Sequence, residues 1–95
     1  MVTITVKFMS IPRQRTGTGR VEFVSSESRL RDVLKEIVNR YRIANIILTE
    51  SGEVSPHARV LANGRSFQFV GDLDAKLREG DTIALIYSWI GHEDF

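Results

Sequence analysis

The sequence predicts an α+β domain of two layers, with one helix laid over one face of a sheet of four or five strands. Three observations predict it. The first residues alternate apolar and polar side chains with period two, the pattern of a half-buried strand. Residues 30–41 switch to a helical period. Short apolar runs separated by turn signals follow, ending in a second alternation at Thr82–Ser88. The order is β-β-α-β-β-β, and a single amphipathic helix can cover only one face of such a sheet.

In the first strand Val2, Ile4, Val6 and Phe8 share one face, and Thr3, Thr5, Lys7 and Met9 share the other. Pro12, which has no N–H for a ladder, stops it. Residues 13–20, Arg-Gln-Arg-Thr-Gly-Thr-Gly-Arg, read as a flexible basic loop. A second strand carries Val21 and Phe23, ends at Ser25 and Ser26, and pairs antiparallel with the first. The helix presents Leu30, Val33, Leu34, Ile37, Val38 and Tyr41 on one side, and it ends near Tyr41 or Arg42. Ser28 is its candidate cap, but Arg31 three residues on is not an acid, so no capping box forms. Glu36 and Arg40 stand at i and i+4 in the favourable order.

Residues 43–56 have no clear period, although Ile43, Ile46, Ile47 and Leu48 must dock on the core, and Glu50-Ser51-Gly52-Glu53 signals a turn. Ala58–Ala62 reads as a third strand, closed by the turn dipeptide Asn63-Gly64. Phe67, Phe69 and Val70 suggest a short fourth. Leu77, between turns at residues 71–74 and 79–81, is a candidate core anchor. In the last strand Ile83, Leu85 and Tyr87 oppose Thr82, Ala84 and Ile86.

At 95 residues the chain has room for one core. The hydrophobic content of 42% and charged content of 26% suit a folded domain rather than a disordered one. The absence of cysteine excludes a disulfide scaffold, a thiolate metal site and a cysteine nucleophile together. A formal charge of +1 does not fit a general nucleic-acid binder. The N-terminus alternates as a strand rather than forming a secretory signal. The apolar runs are too short to span a bilayer, so the expected setting is cytoplasmic, with no membrane partner.

Gly17-Thr18-Gly19 could suggest a phosphate loop, but a strand follows it where a helix N-terminus would be needed. His57 and His92 are far apart and lack the companions of a metal site, so no metal and no cofactor is expected. Nothing in the spacing suggests a hydrolytic triad. Arg13, Arg15 and Arg20 gather at one loop, either as solvated charge or as a patch that steers an acidic partner. If Val6 with Phe8, Val60 with Ala62 and Ile83 with Leu85 form the core, then Met9, Leu61 and Ile86 point away from the helix. Scattered, they are ordinary exposed hydrophobes; contiguous, they form a partner surface.

The order and spacing of several segments resemble the MoaD branch of the MoaD/ThiS sulfur-carrier family. They are Val6-Lys7-Phe8-Met9-Ser10, the Arg-x-x-x-Gly of Arg13 and Gly17, and Leu30-Arg31-Asp32-Val33-Leu34. In the second half come Glu50-Ser51-Gly52-Glu53, Pro56 ahead of a strand ending Asn63-Gly64, and Leu73-Asp74-Ala75-Lys76-Leu77-Arg78-Glu79-Gly80-Asp81. The resemblance spans most of residues 2–91. It implies a ubiquitin-like β-grasp fold with a mixed sheet over residues 1–91, followed by a C-terminal extension at 92–95. It also implies a carrier rather than an enzyme. An adenylating enzyme would activate a C-terminal glycine carboxylate for loading as a thiocarboxylate, and the large subunit of molybdopterin synthase would receive the tail and its sulfur.

Glycines suit this task because they fit a narrow channel and bring the carboxyl close to ATP. The family's Pro-Pro-Val-x-Gly-Gly ending falls on Tyr87-Ser88-Trp89-Ile90-Gly91-His92, so His92 replaces the second glycine and Glu93-Asp94-Phe95 follow. Two anions there would be repelled from an ATP channel. Two readings stay open: a precursor trimmed after Gly91, or a β-grasp binding or regulatory subunit that lost the carrier chemistry. The resemblance makes Gly91 the prospective acyl carrier. Trp89 and Ile90 would line the partner's channel, Met9, Leu61 and Ile86 would form the sheet-face contact, and Arg13 and Arg59 its polar rim.

Overall fold

The computed structural model describes residues 1–87. Five strands form one mixed sheet: β1 (Val2–Ser10), β2 (Arg20–Ser25), β3 (Ala58–Ala62), β4 (Arg65–Ser66) and β5 (Thr82–Tyr87), in the order β2-β1-β5-β3-β4. The chain's first and last strands pair in parallel at the centre, Val6 opposite Ile83 and Phe8 opposite Leu85. The neighbouring pairs β1/β2 and β3/β5 are antiparallel. The main helix, α2 (Leu30–Arg40), buries Leu30, Val33, Leu34, Ile37 and Val38. They pack with Ile4, Val6, Phe8, Val60, Ile83 and Leu85 from the sheet. Leu77 is buried in the same core, as its spacing predicts.

Five local expectations are corrected. Residues 13–16 are not loop: α1 runs over Ile11–Thr16, with Pro12 buried in its first turn and Gly17 closing it at φ 77°, its N–H donating to the Arg13 carbonyl at 2.9 Å. A six-residue helix has no room for an apolar period. Its signal is the pairing of proline just inside the start with glycine just past the end. Residues 43–56 hold a third short helix, α3 (Ala44–Ile47), which buries Ile46 and Ile47, while Leu48 bridges Val54 across the predicted turn. The fourth strand lies earlier than its aromatics suggest. After Asn63-Gly64, β4 occupies only Arg65–Ser66, and Phe67–Phe69 turn as a 3₁₀ helix that leaves Phe69 exposed.

The fourth correction concerns the start of α2. Ser28 does not cap it; Arg29 is the N-cap and no side chain bonds there. A returning segment does this work with its backbone. The Leu30 N–H donates to the Ala75 carbonyl at 2.8 Å, and the Leu77 N–H donates to the Ser28 carbonyl at 2.7 Å. Tertiary structure satisfies a donor that would otherwise need a side-chain cap.

The expected Glu36–Arg40 pairing is also absent. Glu36 instead accepts from the hydroxyls of Ser25 and Ser26, which ties the end of β2 to α2, and Arg40 lies over the Phe23 ring at 5.9 Å. The helix ends at Arg40, where Tyr41 packs edge-on against Phe8 at 5.0 Å between ring centroids.

Candidate functional site

Because α2 covers one face of the sheet, the other is open, and the strand registers order its side chains into rows. At the end where β5 finishes, Ile86 is opposite Met9 on β1 and opposite Arg59 on β3. In the next row Ala84 lies between Lys7 and Leu61, with Arg20 beyond Lys7 and Ser66 beyond Leu61. Met9, Ile86 and Leu61 therefore stand on adjacent positions of three neighbouring strands. Met9 is 45% exposed, while Leu61 and Ile86 are half-buried. Ala84 between them is buried, which makes the centre of the face shallow and apolar.

Arg59 is exposed beside Ile86. Arg13 lies elsewhere, on α1, with its guanidinium over Gly19; a Cβ on that glycine would come 3.4 Å from Arg13 Nε. The structure thus sets Arg13 beside the start of β2 and Arg59 directly in the apolar row. Trp89, Ile90 and Gly91 lie outside the described residues, as does Ser88, the predicted end of the last strand.

Beyond β3 a recess of about 620 Å³ adjoins this face, lined in part by His57, Arg59, Leu61, Ser66, Phe67 and Gln68. It holds no carboxylate among its lining residues. The His57 ring packs edge-on to Tyr87, the last described residue of β5, at 6.1 Å between centroids. Gly17-Thr18-Gly19 follows a helix C-terminus, the negative end of the helix dipole, which is unsuited to a phosphate. Among the described residues no group of three or more His, Asp or Glu could hold a metal ion, and no helix is long and apolar enough to cross a membrane.

Sequence reasoning put Lys7 on the same face as Met9 and Arg20 in a basic loop, but did not join them, or Val24, to this site. The signal was available in the alternation of β1 and β2, since the residues opposite Thr3, Thr5 and Lys7 are Val24, Glu22 and Arg20. It becomes legible only once the register is known.

A mixed sheet with its first and last strands paired in parallel, one helix on one face and an open opposite face defines a ubiquitin-like β-grasp protein. More narrowly, the chain belongs to the ThiS family, whose model matches residues 6–88. It is similar to small archaeal modifier protein 3 of Haloferax volcanii, with 28% identity over 83 residues that cover 86% of this chain and 90% of the relative. Its fold matches that of small archaeal modifier protein 1 from Methanosarcina acetivorans with a TM-score of 0.79, at 20% identity over 96% of this chain and 97% of the other. A Pyrococcus furiosus protein provisionally described as molybdopterin converting factor subunit 1 matches with a TM-score of 0.70, at 22% identity over 92% and 98% of the two chains. Proteins of this family are small ubiquitin-like carriers and modifiers rather than enzymes.

Proposed function

We propose that this chain is a sulfur carrier of the molybdopterin-synthase type, trimmed to Gly91 and loaded there as a thiocarboxylate. The carboxylate of Gly91 attacks the α-phosphorus of ATP on an adenylating enzyme and pyrophosphate leaves. A sulfur nucleophile at the sulfide level then displaces AMP from the acyl carbon. The domain over residues 1–91 supplies the docking face, and residues 92–95 are the removable extension. Trp89 and Ile90 line the partner's channel, and the large subunit of molybdopterin synthase takes the sulfur.

The observation that carries this reading is the open apolar centre of Met9, Leu61 and Ile86 at the end of the sheet where β5 finishes. A partner seated there is placed to receive whatever the chain carries beyond β5. The P. furiosus neighbour, provisionally described as molybdopterin converting factor subunit 1, shares the fold on which this reading is built.

His92, standing where the family has its second glycine, favours a second reading: a non-conjugating subunit that uses the same face for binding alone. Reconstitution with the adenylating enzyme of the same organism separates the two. ATP–pyrophosphate exchange that depends on a chain ending at Gly91, and is absent with the chain ending at Phe95, supports the trimmed carrier. No exchange with either chain removes it and leaves the binding subunit.

A further inference from the structure

The open face is polarised in charge along its strands. In the two rows at the β5 exit every charged side chain is a cation: Arg59 beside Ile86, and Lys7 and Arg20 in the row of Ala84 and Leu61. All three are exposed, and none forms an ion pair with a described residue. Toward the opposite end carboxylates join the border, with the exposed Arg78 beside them, its backbone N–H donating to Asp81 at 2.8 Å. Glu22 stands opposite Thr5 in the third row, Asp81 holds the side chain of Asn63 at 3.1 Å, and Glu79 accepts from the Thr3 N–H at 3.0 Å. The recess beyond β3 continues the basic end, with Arg59 in its lining and no carboxylate. The chain's near-zero net charge thus hides a face whose β5-exit rows carry cations and no carboxylate around the apolar centre, while Glu22, Glu79 and Asp81 stand toward the opposite end.

From this arrangement we infer that the face selects a partner surface with an apolar centre bounded by carboxylates, and that the charge gradient sets the orientation of docking. The carboxylates lie over Lys7, Arg20 and Arg59, which fixes the β5 exit against the partner's acidic rim. A partner rotated by half a turn would set those carboxylates against Glu22 and Glu79 and be repelled. Charge complementarity of this kind acts chiefly on orientation and on the rate of encounter. The inference rests on the carrier reading for the partner's identity, the adenylating enzyme, and adds which chemistry on that enzyme meets this face.

The test measures binding of the full chain to the purified adenylating enzyme of the same organism, at low and high salt. The variant carries Lys7→Glu, Arg20→Glu and Arg59→Glu together. A control carries Arg31→Glu, Lys35→Glu and Arg42→Glu, an equal change in net charge at exposed positions on and just after α2, which covers the opposite face. Circular dichroism checks that both retain the fold.

The expected result is wild-type binding that weakens with salt, a loss of about tenfold or more in the face variant, and little change in the control. Equal losses in the two variants, or none in either, overturn the inference and leave the carrier reading standing. Wild type that fails to bind the enzyme at all removes the adenylating partner, and the inference falls with it.

Discussion

Gly17 shows how one residue can be required by backbone alone. Its φ of 77° closes α1, and a Cβ added there would meet nothing within 4 Å, so packing plays no part in the choice. Gly17→Ala should therefore cost about 1–2 kcal/mol in chemical denaturation, the penalty of a left-handed L-residue, with binding unchanged. Ile86 and Leu61 are the opposite case, half-buried residues whose side chains close nothing inside the domain. Leu61→Glu or Ile86→Glu should weaken binding to the adenylating enzyme by about 2 kcal/mol or more while the domain stays folded. Titration calorimetry on the folded variants checks this, and unchanged affinity in both would remove the open face from the interface. These residues were readable from the sequence because alternation assigns them to the face opposite the core. Arg59 was named beside them and alternation put Lys7 on their face, but Arg20 was not readable as their neighbour, since that depends on the Lys7–Arg20 register.

At the scale of elements, β1, β2, α2, β3 and β5 were legible because each is long enough to show its period. α1, α3 and β4 have six, four and two residues, too few for a pattern to emerge from composition. The start of α2 was misread for another reason. Its first donor is satisfied by Ala75, a residue 45 positions further along the chain (75 minus 30), and no local motif can announce that. The segment around Ala75–Leu77 therefore works as a distant helix cap anchored by the buried Leu77 side chain. Leu77→Ala should destabilise the domain by about 2–5 kcal/mol. It should also raise amide exchange at Leu30 more than at the β1/β5 centre, measured by hydrogen exchange. Uniform loss of protection across both regions would mean that the cap is not a separate local device.

For the whole molecule, parallel pairing of the first and last strands brings β5 to the middle of the sheet. Its Ile86 lies there between Met9 and Arg59, within an apolar centre and a basic border. The body matched the family evenly in sequence, whereas the proposed chemistry would reside in Gly91, one residue whose neighbour His92 departs from the family's ending. That is why the fold was more legible than the function. The most direct measurement is the intact mass of the protein isolated from its own host. The carrier account predicts a chain ending at Gly91, a fraction of it with sulfur in place of one carboxyl oxygen. A population ending entirely at Phe95 would contradict the account and make this a protein that acts through its open face alone.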